Sequence, residues 1–221
     1  MPKIDIKGHI IPNEYKAAYD FYGMEATCPN DVKKVLEQST GLVDVDITTS
    51  YGGNIFAGSD IYTMLRGYKN IYIRVFSLAA SATSIIATAG PSEISPTAMF
   101  FAHLVEGGEE GNYHAMDKAS GMLKSASEAL ATAYMEKTGM SKEEALGLME
   151  KESWLTAQQA VDLKLIDKVM FSQDPRNMVA AIGTPLPQAA IEKANSILRN
   201  QKQLEASAAE KEKFLLMLDL I

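Results

Sequence analysis

The feature that most constrains this chain is a run of β-branched strand patterns, each followed by a helix-length segment. Leu42-Val43-Asp44-Val45-Asp46-Ile47-Thr48 alternates apolar and polar side chains, the period-2 pattern of a strand. Ser50-Tyr51-Gly52-Gly53-Asn54 reads as a turn, and Ile61, Met64 and Leu65 mark the inward face of a helix over 57–66. Residues 71–76 predict another strand. Residues 81–89 predict a nearly all-apolar helix closed by Gly90-Pro91, with short strands near Ile94 and over 98–101. Such alternation belongs to α/β architecture with right-handed crossovers.

The flanks extend the pattern. Ile4, Ile6, Ile10 and Ile11 around Gly8-His9 predict a strand pair in a first hairpin. Tyr15, Ala18, Tyr19 and Tyr22 recur at helical spacing, and Asn30 is the expected N-cap of a helix bearing Val32, Val35 and Leu36. Residues 106–112 read as a loop or flexible hairpin, and a long helix runs over 113–137 to stop at Gly139. Ser141 and Glu144 form a capping box opening a shorter helix. A helix over 156–163 and a last strand over 166–171 follow. Three prolines and a glycine mark 172–187 as a linker. The organisation expected is a domain over 1–171, that linker, and a helical C-terminal extension over 188–221 whose apolar end, Phe214-Leu215-Leu216-Met217-Leu218, suits docking.

Composition excludes several classes. With 221 residues, 47% hydrophobic and 22% charged, the chain is neither collagen-like nor wholly disordered. A net charge of −7 argues against a nucleic-acid partner, which needs a basic footprint. The single cysteine, Cys28, allows no internal disulfide, and no Cys/His cluster at metal spacing exists, so neither metal nor cofactor is expected. Gly52-Gly53 is no phosphate loop, because no Gly-Lys-Ser/Thr follows. No run of about 18 apolar residues appears and Met1 to Ile6 lack an apolar signal core. The expectation is a cytoplasmic protein with no membrane partner.

Four features carry possible chemistry. Ser81 falls between a strand and a buried helix; there it can cap the helix or present its Oγ to a cleft. His103 ends an apolar strand, a setting in which a histidine is more often structural than catalytic. His9 and His114 have poorer settings. Glu152 precedes a helix, where a carboxylate ordinarily serves the helix dipole. Gly53 and Ala82 can offer backbone N–H groups. Taken together these residues fill every role of acyl transfer. Serine needs a base, histidine is the usual one, and a carboxylate orients it. Two backbone donors then hold the oxyanion.

The stretches Ser50-Tyr51-Gly52-Gly53, Ala79-Ala80-Ser81-Ala82, Met99 to His103 and Trp154-Leu155-Thr156-Ala157-Gln158-Gln159-Ala160 resemble the Clp-type serine peptidases, and especially their phage head-maturation branch. The order and intervals of Ser81, His103 and Glu152 are similar to that family's, with Glu150 as a nearby alternative acid. The resemblance implies a Clp/crotonase-type fold of repeated β-β-α units. It also implies homo-oligomeric ring assembly through the long helix, and peptide pairing along a substrate-side strand at Gly107 and Gly108. The function it implies is a serine endopeptidase acting on capsid or scaffold proteins. Little chain precedes Ile4 to meet an unfolding ATPase, so an ATPase partner is the less favoured expectation. Tyr51, Leu104-Val105 and Glu152 depart from the core enzyme's usual residues. The alternatives are a subunit working with a Clp ATPase, a crotonase-like acyl-CoA enzyme sharing the oxyanion hole, and a catalytically silent assembly protein.

Overall fold

Alternation along the chain becomes layering in space. The computed structural model describes residues 2–172 and five tail positions, Glu192, Lys193, Ser196, Ile197 and Arg199. The chain divides into two units, Met1–Pro175 and Arg176–Ile221. In the second, the five described positions are helical. Apart from Ser172, the expected linker lies outside the described residues, and so does the apolar segment 214–218.

The first unit runs β1 (Lys3–Ile10), a 3-10 turn (Asn13–Tyr15), α1 (Lys16–Phe21), β2 (Ala26–Thr27), α2 (Pro29–Glu37), β3 (Val43–Gly53), α3 (Ile55–Gly67), β4 (Ile71–Ala80) and α4 (Ala82–Ala87). It continues β5 (Ser92–Ile94), β6 (Met99–Ala102), α5 (Tyr113–Thr138), α6 (Lys142–Glu150), β7 (Ser153–Thr156), α7 (Ala157–Asp162) and β8 (Lys168–Val169). One mixed sheet results, in the order β2-β1-β3-β4-β5-β8, with β6 on β4 and β7 on β6. Every pairing is parallel except β6–β7. The fold is therefore the expected α/β class.

Alternate residues of the central strands go to opposite faces. Ile6, Ile47 and Ile73 are fully buried with Ile86 of α4, each worth roughly 1.5–3 kcal/mol of burial. Their polar neighbours build an ion-paired outer face: Arg74 Nε meets Asp46 at 2.7 Å, and its second nitrogen meets Asp44 at 3.1 Å.

Several local expectations are corrected. The hairpin at Gly8-His9 is one continuous strand. Gly8 has φ +63°, and a Cβ there would overlap the Glu25 carbonyl, so the glycine serves a close approach rather than a turn. Gly52-Gly53 ends β3 instead of leaving it. Cys28, not Asn30, caps α2, with its N–H donating to Asp31 Oδ2 at 3.0 Å. The last strand shrinks to Lys168–Val169, and β7 forms where no strand was expected.

Candidate active site

β4 ends at Ala80 and α4 begins at Ala82, which leaves Ser81 on the sharp junction between them. Its φ of 56° and ψ of −126° lie where side chains are rarely found. Such strain costs about 1–3 kcal/mol and persists only where the surroundings over-determine it. Here they do. The Ser81 N–H donates to Phe101 O at 2.9 Å. The Ser81 carbonyl accepts from the Ser84 N–H at 2.9 Å and from Ser84 Oγ at 2.6 Å. Because Ser84 spends its hydroxyl proton on that carbonyl, Tyr134 is the donor in the 2.7 Å contact between its hydroxyl and Ser84 Oγ. Burial pushes the Tyr134 phenol up to about 12, which keeps it a neutral donor.

The Ser81 side chain does not cap α4. Its Oγ lies 2.7 Å from His103 Nε2. Sheet register produces this meeting: Ala80 pairs with Phe101, and His103 follows two residues later, on the same face as Phe101. The imidazole stacks on Phe101 at 5.1 Å between centroids, and Phe101 stacks on Trp154 at 4.2 Å.

The second imidazole nitrogen faces a residue that the sequence reading did not single out. His103 Nδ1 lies 3.3 Å from Glu106 Oε1. Glu152 is exposed, has φ 49°, and donates its N–H to Met149 O at 3.1 Å. It stands one residue before β7, whose final pair with β6 is Ala102 with Ser153. Among the described residues no hydrogen bond joins Glu152 to His103. Glu150 borders a groove against α5. A His-x-x-Glu spacing was the only signal for Glu106, and acids in exposed loops are too common for that spacing to discriminate.

Gly53, Ser81, Ala82 and His103 line one cleft of about 320 Å³. Ala82 is the first helical residue, so its N–H has no intrahelical acceptor. Gly52 lets β3 press against the junction: a Cβ there would lie 2.5 Å from Ser81 Cβ and 2.8 Å from Ala82 N. Ile85, Leu130 and Met149 give the cleft an apolar wall. Leu104 to Glu106 complete it, whereas Gly107 and Gly108 border a neighbouring groove against α5. The 103–110 segment is irregular and forms no strand. His9 packs against Tyr19 and Tyr51, and His114 against Tyr113, both outside the cleft.

Among the described residues no cluster of His, Cys, Asp or Glu is placed to hold a metal, and no helix is long and apolar enough to cross a membrane. What the cleft offers is a hydroxyl on an imidazole beside a free backbone donor, which suits acyl transfer.

Comparison with known proteins agrees with that chemistry. Residues 35–173 match the Clp protease family. The chain is similar to the ATP-dependent Clp protease proteolytic subunit 1 of Leifsonia xyli subsp. xyli, with 28% identity over 127 residues, 56% of this chain and 64% of that protein. It is also similar to the ATP-dependent Clp protease proteolytic subunit 3 of Rhizobium etli, with 27% identity over 151 residues, 64% of this chain and 78% of that protein. The chain thus spans just under two-thirds of the first relative's length and over three-quarters of the second's.

Proposed function

The chain belongs to the Clp protease family, and from that premise we propose that it is a serine endopeptidase. The observation that carries the reading is the 2.7 Å contact between Ser81 Oγ and His103 Nε2 inside a cleft. Ser81 Oγ attacks the peptide carbonyl while His103 Nε2 takes its proton. The carbonyl oxygen becomes an oxyanion and accepts hydrogen bonds from the Gly53 and Ala82 N–H groups. Collapse breaks the C–N bond, and His103 returns the proton to the leaving amine. Water, deprotonated by the same imidazole, then splits the acyl-enzyme and regenerates the serine.

The finer reading is a head-maturation protease that cleaves capsid or scaffold proteins and assembles as a homo-oligomeric ring through α5. Its support is the motif resemblance to that branch. Similarity to proteolytic subunits of ATP-dependent proteases favours a second reading, a subunit fed by a separate ATPase. A crotonase-like acyl-CoA activity has no use for a hydroxyl held on an imidazole. Peptide docking along Gly107 and Gly108 by strand addition is part of the proposal.

An active-site fluorophosphonate probe tests the core of it. Labelling of Ser81, lost in Ser81→Ala together with peptide cleavage, is the expected result. Cleavage that survives Ser81→Ala overturns it, and a protein that ignores both probe and peptide is an assembly factor instead. Degradation of unfolded protein without ATP favours the maturation reading. Dependence on an added ATPase favours the other.

A further inference from the structure

We propose that Glu106 is the positioning residue that holds the His103 imidazole in its working tautomer. The inference deepens the serine-peptidase reading and rests on Ser81 and His103 acting as described.

For Nε2 to take the Ser81 proton, the ring's own proton must sit on Nδ1. The stack on Phe101 and Trp154 fixes the plane of the ring but does not select which nitrogen carries the proton. A carboxylate facing Nδ1 does select it, and also balances the imidazolium that forms during attack. Glu106 Oε1, at 3.3 Å, is the carboxylate found there. Glu152, one residue before β7 and opposite His103 if the β6–β7 register is continued, makes no hydrogen bond to the ring among the described residues.

The loop carrying Glu106 is moored. The Val105 N–H donates to Ser127 Oγ at 3.0 Å, and Ser127 Oγ donates to Leu123 O at 2.9 Å, both on α5. Ser127 is buried. The residue preceding Glu106 is therefore fixed by a helix outside the sheet. Leu104 to Glu106 are also the part of the loop that lines the cleft. The Glu106 side chain is 75% exposed against 18% for His103, so water competes for the carboxylate while the cleft is open. A peptide lying along this wall excludes that water and strengthens the pair. Orientation of the base thereby becomes coupled to substrate docking.

The test uses the full-length chain with ¹⁵N-histidine labelling, comparing the parent with Glu106→Gln, Glu106→Asp and Glu152→Gln. Nitrogen shifts of His103 report its tautomer without any need for turnover. The parent should show the Nδ1–H form, and Glu106→Gln should shift His103 toward the other tautomer. Its kcat on a short peptide should fall about 100-fold or more with little change in KM, and Glu106→Asp should recover part of the loss. Glu106→Gln with an unchanged tautomer and kcat overturns the proposal. So does loss of the tautomer in Glu152→Gln alone. If the parent neither binds the probe nor cuts peptide, the peptidase reading fails, while the nitrogen spectra still decide what Glu106 does to the ring.

Discussion

Tyr134 donates its hydroxyl proton to Ser84 Oγ across 2.7 Å, and Ser84 in turn donates to the carbonyl of Ser81. A buried phenol on α5 thus holds the backbone of Ser81. Ser84→Ala removes the middle of this chain and strands the Tyr134 hydroxyl in the core, at a cost of about 1–3 kcal/mol. It should also slow fluorophosphonate labelling of Ser81. Tyr134→Phe leaves Ser84 free to reach Ser81 and should cost less. Urea unfolding read beside labelling rates checks both. Equal stability and equal labelling in Ser84→Ala would show that the clamp does not hold the junction.

The same phenol sets a pH dependence. Its folded value of about 12 exceeds that of an ordinary tyrosine, about 10. Between those values the unfolded chain has lost this proton and the folded chain has kept it, so the native state binds more protons and stability falls as pH rises. Denaturation midpoints should drop above pH about 10, and less steeply in Tyr134→Phe. A phenolate absorbance titration of the native protein should leave Tyr134 un-ionised late, beside Tyr62 and Tyr72, which burial also raises, and Tyr134→Phe should remove one late-ionising phenol.

Gly52 meets two requirements, a φ of +79° and the absence of a side chain, because a Cβ there would lie 2.5 Å from Ser81 Cβ. Gly52→Ala should lower stability by about 1–3 kcal/mol from backbone strain alone. The new methyl also displaces Ser81, so activity should fall further than stability predicts. Thermal melts compared with kcat/KM on a short peptide separate the two effects.

The apolar wall of Ile85, Leu130 and Met149 beside Ser81 predicts which bonds are cut. An apolar side chain on the acyl side of the scissile bond should be preferred over a charged one. Each methylene buried there is worth about 0.8 kcal/mol, or about fourfold in kcat/KM. A peptide series differing only at that residue measures the slope, and a flat series would place substrate side chains elsewhere.

Ser127→Ala unties Val105 from α5 and loosens the loop that carries Glu106. One such hydrogen bond is worth about 1 kcal/mol, so kcat should fall about fivefold. Labelling of Ser81 by a small probe, which needs little from the loop, should change less.

Much of this was readable from residues alone. Ile71 to Phe76 alternate because one face of the strand meets the helices; Val43 to Thr48 alternate except at Asp46, whose carboxylate is buried against Arg74. The capping box at Ser141 and Glu144 is local chemistry and formed as expected. Gly8 misled because a glycine needed for close approach to Glu25 looks the same in sequence as one needed for a turn. β7 escaped notice because only Leu155 of its four residues is buried, too few to show a period. The pairing of Ser81 with His103 was legible because both lie at strand ends, where sheet register carries them together. The approach of Glu106 to the imidazole was not, because its position depends on an irregular loop and on Ser127, a serine buried midway along α5.

β4 changes partners partway along its length, pairing Ile73–Val75 with β5 and Leu78–Ala80 with β6. The sheet forks there, and Ser81 and His103 both follow from the β4–β6 side of the fork. Mutational drift on the β5–β8 tine can accumulate without retuning the reactive pair, whereas a single residue inserted into β6 would swing the imidazole to the opposite face. The fork thus separates the strands that set the Ser81–His103 register from those that do not.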